Sequence, residues 1–75
     1  MNNTRRKHLE EIRTKIEDIS NDLETLRDEE QEYIDNMPES LQSSEKATNA
    51  ENAVSNMDDA INSLSEAANA IDSNL

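Results

Sequence analysis

Few residue types in this chain could do catalytic chemistry, and their spacing keeps them apart. The one histidine, His8, has Glu11 three positions later, which reverses the Glu-x-x-His order of di-iron helical bundles. Adjacent acids such as Glu29 and Glu30 point to different faces of a helix, so they do not form an acid and base pair. The chain has no cysteine and no glycine for a phosphate-binding loop. The sequence therefore predicts no enzyme, no metal site and no cofactor.

Charge is unevenly distributed along the chain. Residues 1–15 have a net charge of +3, residues 16–46 of −9 and residues 47–75 of −5, which gives −11 for the chain. The acidic body argues against direct nucleic-acid binding, which depends on neutralising phosphates. It suits contact with a basic, nucleic-acid-binding protein, and the alternative is that the acids only confer solubility. The acidic face predicted to bind such a partner consists of Glu17, Asp18, Glu24, Asp28, Glu29 and Glu32.

A basic tip formed by Arg5, Arg6 and Lys7 precedes this acidic body. Cations in the first turn of a helix oppose the helix dipole, so helix stability alone does not explain them. One interpretation is that the tip holds an anion such as a phosphate or a nucleotide messenger. The other is that Arg6 and its neighbours complement the acidic end of the second half at Asp72.

Apolar residues repeat at heptad spacing in both halves of the chain, which is typical of coiled-coil helices. An apolar content of 32% with this much charge would otherwise indicate disorder. The only proline, Pro38, marks the break between the halves. The sequence predicts one all-α domain over residues 1–75. Helix 1 spans about residues 4–36 with Asn3 or Thr4 as its cap, the connection spans about 37–43, and helix 2 spans about 44–74 with Ser43 or Ser44 as its cap.

The two heptad patterns predict an antiparallel hairpin that folds back at Ser40. Both apolar columns of helix 1 then lie in the core, one through Leu9, Ile16 and Leu23 and the other through Ile12, Ile19, Leu26 and Tyr33. Glu30 interrupts the core and is expected to form a solvated ion pair with Arg27. Along one flank the facing pairs are Arg6 with Asp72, Arg13 with Ser65, Ser20 with Asp58 and Arg27 with Glu51, none of them a like-charge pair.

The opposite flank of helix 2 has alanine at every seventh position, at Ala53, Ala60 and Ala67. Small side chains leave room for a second hairpin, so we expect self-association there into a four-helix bundle or a higher homo-oligomer. A thin core in a chain of this length also favours assembly. The alternative is that alanine serves helix propensity alone.

The segments Arg5-Arg6-Lys7, Leu26 to Glu32 and Asp35 to Glu45, together with the alanine-rich acidic second half, resemble a group of small phage and prophage proteins of Firmicutes. The segment Asp35-Asn36-Met37-Pro38-Glu39-Ser40-Leu41-Gln42 is the most specific part of the resemblance. It implies a mobile-element origin and no particular activity. With it, we expect an inhibitor of a host protein, with an oligomeric sponge for an anionic messenger or a structural coiled-coil adaptor as alternatives. No run of apolar residues is long enough for a membrane helix, so a cytoplasmic location is expected.

Overall fold

The protein is an antiparallel hairpin of two long helices, described here for residues 1–75 from a computed structural model. Helix α1 spans Asn3–Asp35 and helix α2 spans Glu45–Asp72, with a short 3₁₀ turn at Glu39–Leu41 between them. The two helices pack against each other along their length. The molecule is a rod with extents of 59 × 14 × 12 Å. The all-helical hairpin predicted from the heptad patterns is confirmed.

Side-chain caps define where each helix begins. The Asn2 side chain accepts a hydrogen bond from the backbone N–H of Arg5 at 2.8 Å, so Asn2 is the cap of α1. The predicted caps, Asn3 and Thr4, are wrong because the helix already includes both residues. Ser44 caps α2 through a bond from the Ala47 N–H, as predicted. Each cap satisfies a backbone donor that has no partner within the helix.

The connection between the helices is short and largely hydrogen-bonded. Asn36 ends α1 by donating its backbone N–H to Glu32 at 3.0 Å. Pro38 then begins the 3₁₀ turn, and its carbonyl accepts the Leu41 N–H at 2.8 Å. Proline cannot donate a backbone hydrogen bond and disfavours helix at the residue before it, which is why α1 stops here.

The best-packed part of the hairpin lies next to this connection. Only Ala47 and Ala50, in the first two turns of α2, are buried, with exposed fractions of 0% and 5%. Every other core residue is partly open to solvent. Two helices alone cannot enclose a long apolar seam, because each helix has a neighbour on one side only. The core is therefore as thin as the composition predicts.

The helices meet in a different register from the predicted one. The predicted flank pairs have residue numbers that add to 78, whereas the observed ion pairs, Arg13 with Asp72 and Arg27 with Asp58, add to 85. This is a shift of one heptad, so the predicted pairs Arg13 with Ser65 and Arg27 with Glu51 are wrong. The shifted register gives each of these two arginines a carboxylate on α2. Ser20 and Ser65, whose numbers also add to 85, line one small cleft between the helices.

Helix α1 is also rotated about its axis relative to the prediction. The residues it turns toward α2 are Arg6, Leu9, Arg13, Ile16, Ser20, Leu23, Arg27, Glu30, Ile34 and Met37. The column predicted to share the core remains half exposed, with Ile12 at 47%, Ile19 at 52%, Leu26 at 54% and Tyr33 at 43%. This rotation brings the guanidinium groups of Arg13 and Arg27 to the aspartates of α2 with which they pair. We call the exposed column the apolar ridge.

The burial pattern makes Ala47 a test of the packing beside the connection. Replacing Ala47 with leucine forces a larger side chain into a site with no exposure and should lower the free energy of unfolding by about 1–3 kcal/mol. Asn62, on the outer face of α2, is the control, and its replacement with leucine should be close to neutral. Chemical denaturation followed by circular dichroism measures both. Equal effects would contradict the packing described here.

A charge exchange tests the register. Arg13→Asp places an acid beside Asp72 and should lower the melting temperature by several degrees, and adding Asp72→Arg should restore most of the loss. Adding Ser65→Arg instead, which would be the rescuing change in the predicted register, should restore little. Each second substitution is also measured alone at the same chain concentration, so that the coupling energy is separated from its own effect. Rescue of Arg13→Asp by Ser65→Arg, and not by Asp72→Arg, would contradict the observed register.

Candidate functional site

The predicted acidic face lies on the side of α1 that points away from α2. All six of its carboxylate residues are exposed: Glu17, Asp18, Glu24, Asp28, Glu29 and Glu32. They occur over sixteen helical positions, a length of roughly 23 Å at the usual helical rise. The α-helical backbone is unbroken from Asn3 to Asp35 and has no bend-forming proline or glycine. The structure therefore displays the six predicted residues along the broad outer side of one helix, with Glu24 and Glu29 about 140° apart around its axis.

Two of these six carboxylates are engaged by arginines of the same helix. Glu17 accepts a bond from the Arg13 guanidinium at 3.1 Å, one turn away. Asp28 accepts two bonds from Arg27, at 3.2 and 3.1 Å. The other four carboxylates, those of Asp18, Glu24, Glu29 and Glu32, take part in no ion pair or side-chain hydrogen bond. These four are free to meet the cations of a partner.

The two arginines connect the acidic face to the second helix. Arg27 donates to Asp58 at 3.0 Å in addition to Asp28, and Arg13 donates to Asp72 in addition to Glu17. The hydrogen bond with Asp72 is the main cause that raises the pKa of Arg13 above its ordinary value, and the bond with Asp58 does the same for Arg27. Both arginines stay charged at every physiological pH. The ion pairs fix α1 with its acidic face outward.

Glu30 lies in the column of α1 that faces α2, in line with Leu9, Ile16 and Leu23. It is half-buried and forms no ion pair. The predicted bond between Glu30 and Arg27 is wrong, because Arg27 pairs with Asp28 and Asp58 instead. Glu30 is therefore an unpaired carboxylate on the side of α1 that faces α2.

The residues of the basic tip do not form one cluster. Arg5, Arg6 and Lys7 occupy consecutive positions in the first turns of α1, about 100° apart around the helix. Arg5 and Lys7 are exposed, whereas Arg6 is half-buried and donates to the Asn3 side chain at 3.3 Å. The Nε atom of Arg6 has no hydrogen-bond acceptor. The predicted contact between Arg6 and Asp72 is wrong, since Asp72 binds Arg13 in the shifted register.

The apolar ridge and the alanine column share one flank of the hairpin. The ion pairs of Arg13 and Arg27 lie on one flank of the hairpin. In an antiparallel pair of helices, the columns on the other side of the contact between the helices both face the opposite flank. On α1 this column is the apolar ridge. On α2 it is the alanine column, Ala53, Ala60 and Ala67, whose members are half-buried. We call this the open flank.

An open cleft lies where the ridge reaches the connection. It has a volume of about 590 Å³, and its apolar wall includes Tyr33, Met37 and Leu41. Glu29, Glu32 and Lys46 also line it. Neither this cleft nor the exposure of the ridge was predicted from the sequence. Comparing the charges paired in neighbouring registers would have indicated the observed register, because the shift of one heptad pairs Arg13 and Arg27 with aspartates.

His8, the one histidine, is exposed near the start of α1. No three histidine, aspartate or glutamate side chains converge in a way that could hold a metal ion. Neither helix contains a stretch that is both long and apolar enough to cross a membrane. Comparison with protein-family models, with curated proteins and with solved structures gave no match.

Proposed function

We propose that this chain is a non-enzymatic protein of phage or mobile-element origin that binds and inhibits a host protein through its acidic face. The observation that carries the proposal is the row of free carboxylates on the outer side of α1, held rigid by one continuous helix. The target is a basic groove that normally binds a nucleic acid.

The spacing of charge supports a nucleic-acid-like surface. The four free carboxylates, from Asp18 to Glu32, extend over roughly 21 Å of helix and give one charge per roughly 5 Å, which is nearer to the spacing along one DNA strand, about 3.4 Å, than to that of the duplex, about 1.7 Å. A groove built for a single strand, or for one strand of a duplex, is therefore the better match. Exposed charges at this spacing also accelerate association with a basic partner at low salt.

The rigidity of α1 favours an inhibitor over a passive acidic surface. The Arg13 and Arg27 ion pairs hold the helix in one rotation against α2, so the backbone that carries the carboxylates need not be ordered when a partner binds. Binding by a preorganised backbone avoids the entropy cost of ordering that segment.

The alternative functions have less support in the geometry. A messenger sponge needs cations that converge on one anion, whereas Arg5 and Lys7 lie about 200° apart around α1. A structural adaptor needs no row of unpaired acids on the face away from its packing surfaces. Inhibition of a basic protein is the candidate function in which the free carboxylates take part.

Neutralising the acidic face should abolish partner binding. The test variant is Asp18→Asn, Glu24→Gln and Asp28→Asn. Glu29 and Glu32 are left unchanged because they line the cleft. The immobilised protein is exposed to a Firmicutes lysate, and proteins released by a DNA oligonucleotide are identified and assayed for loss of nucleic-acid binding. The variant should bind such a protein at least tenfold more weakly, a loss of about 1.4 kcal/mol.

The matched control removes the same charge from α2. Glu51→Gln, Asp59→Asn and Glu66→Gln change three exposed carboxylates that form no ion pair in the hairpin. This variant should bind as the unmodified chain does. Equal weakening of both variants would show an effect of net charge alone and would overturn the proposal. Failure of the unmodified chain to retain any protein that DNA releases would do the same.

A further inference from the structure

The open flank is an unpartnered apolar surface along most of α1. Its ridge runs from Ile12 to Tyr33, about 32 Å of helix, and each of its four large side chains is between 43% and 54% exposed. Large exposed apolar patches mark sites of association. The core that the hairpin buries on its own is only two alanines. The ridge is the largest apolar feature that could add to it.

We propose that the open flank binds a second copy of this chain, with the α1 ridges of the two copies antiparallel and in contact across a two-fold axis. The alanine columns of the two α2 helices lie beside them, which gives a four-helix bundle. The axis passes between Ile19 and Leu26, so each of these residues lies opposite the other in the second copy. Ile12 lies opposite Tyr33 in the same way.

Charge along the edge of the ridge selects this orientation. The column of α1 next to the ridge carries His8, Lys15, Asp22 and Glu29, which is basic at one end and acidic at the other. When two such columns run antiparallel, Lys15 of each copy faces Glu29 of the other. Asp22 lies near the axis and faces Asp22 of the other copy. The antiparallel arrangement therefore has one like-charge contact and two opposite-charge pairs. A parallel arrangement would not bring Lys15 of one copy to Glu29 of the other, because each column would then face the column on the other side of the seam.

The uncharged surface beside the alanine column of α2 indicates that the ridge of one copy contacts α1 of the other copy and not α2. The positions around the alanine column are Asn49, Asn56, Ser63 and Ala70, and none carries a charge. A ridge placed on this surface would leave Lys15, Asp22 and Glu29 without partners. Contact of α1 with α1 pairs Lys15 and Glu29, and contact of α2 with α2 places small uncharged residues together. Small residues permit close approach of the two helices.

The cleft at the connection fits the same arrangement. In the two-fold dimer the first turns of the second copy's α1 lie over Met37 and Leu41, which form the apolar wall of the cleft. In this register Arg5, Arg6 and Lys7 of the second copy lie level with residues 38–40, which include Glu39. This gives a use for a basic tip that the helix dipole does not favour.

The available area meets the need of a stable dimer. One broad face of the rod measures 59 × 14 Å, or roughly 800 Å², and a standard specific interface buries about 800 Å² on each partner. The six carboxylates lie mainly on the outer side of α1, so the dimer leaves most of the acidic face accessible. The inference stands whether or not that face binds a host protein.

A charged residue in the ridge should produce a monomer. Light scattering after size-exclusion chromatography should give about 17 kDa for the chain, twice its 8.5 kDa. Ile19→Asp should give a monomer, with at least a hundredfold weaker self-association. Thr25→Asp adds the same charge at an exposed position of the outer face and should leave the dimer intact. A monomeric unmodified chain at 100 micromolar, a concentration roughly a hundredfold above a typical micromolar dissociation constant, would overturn the proposal.

Exchanging the charges of Lys15 and Glu29 tests the orientation of the dimer and leaves the side chains of the apolar ridge unchanged. Lys15→Glu alone and Glu29→Lys alone should each weaken the dimer by about tenfold, and the double variant should recover most of the loss. Circular dichroism checks that all three keep their helix content. A dimer that is indifferent to Lys15→Glu would instead place the ridge on the alanine column of α2, and loss without recovery in the double variant would exclude the antiparallel two-fold. Either result overturns the arrangement.

Discussion

Two arginines on α1 determine how the hairpin is put together. Arg13 and Arg27 are fourteen residues apart, which is two heptads, and each reaches an aspartate on α2 that is separated from the other by the same interval. Two such contacts fix both the register and the rotation of one helix on the other. Exposed ion pairs contribute little to stability. Their importance here is that an apolar seam rich in alanine discriminates poorly between registers, so small charge effects decide among them.

The rotation that satisfies these arginines divides the apolar residues of α1 between two surfaces. Leu9, Ile16 and Leu23 face α2, while the column that includes Ile19 and Leu26 faces solvent. The same rotation carries the free carboxylates to the far side of the helix. One helix thus presents an intramolecular contact, an apolar flank and an acidic face at separate angles, which leaves two surfaces open at once.

The sequence alone was sufficient for the helices, the connection at Pro38, the Ser44 cap and the exposure of the six acids, because these depend on local propensity and on periodicity. It was not sufficient for the register. Heptad patterns match again after each shift of seven, and the choice between Ser65 and Asp72 as the partner of Arg13 depends on contacts fifty or more residues apart in the chain. The exposed ridge reflects the rotation of α1, which a shift of seven residues leaves unchanged, and it was missed because the heptad pattern favours burial of both apolar columns.

The placement of the two buried alanines has a consequence for how the hairpin opens. Ala47 and Ala50 lie beside the connection, and packing is looser toward the opposite end, where α1 begins and α2 ends. Separation of the helices therefore starts at that distant end and progresses toward the connection, since regions with few buried contacts open at the lowest free energy. On folding, the contacts beside the connection form first, because closing a short loop costs the least entropy. Backbone amide exchange would then be graded along each helix, with its slowest rates next to Pro38.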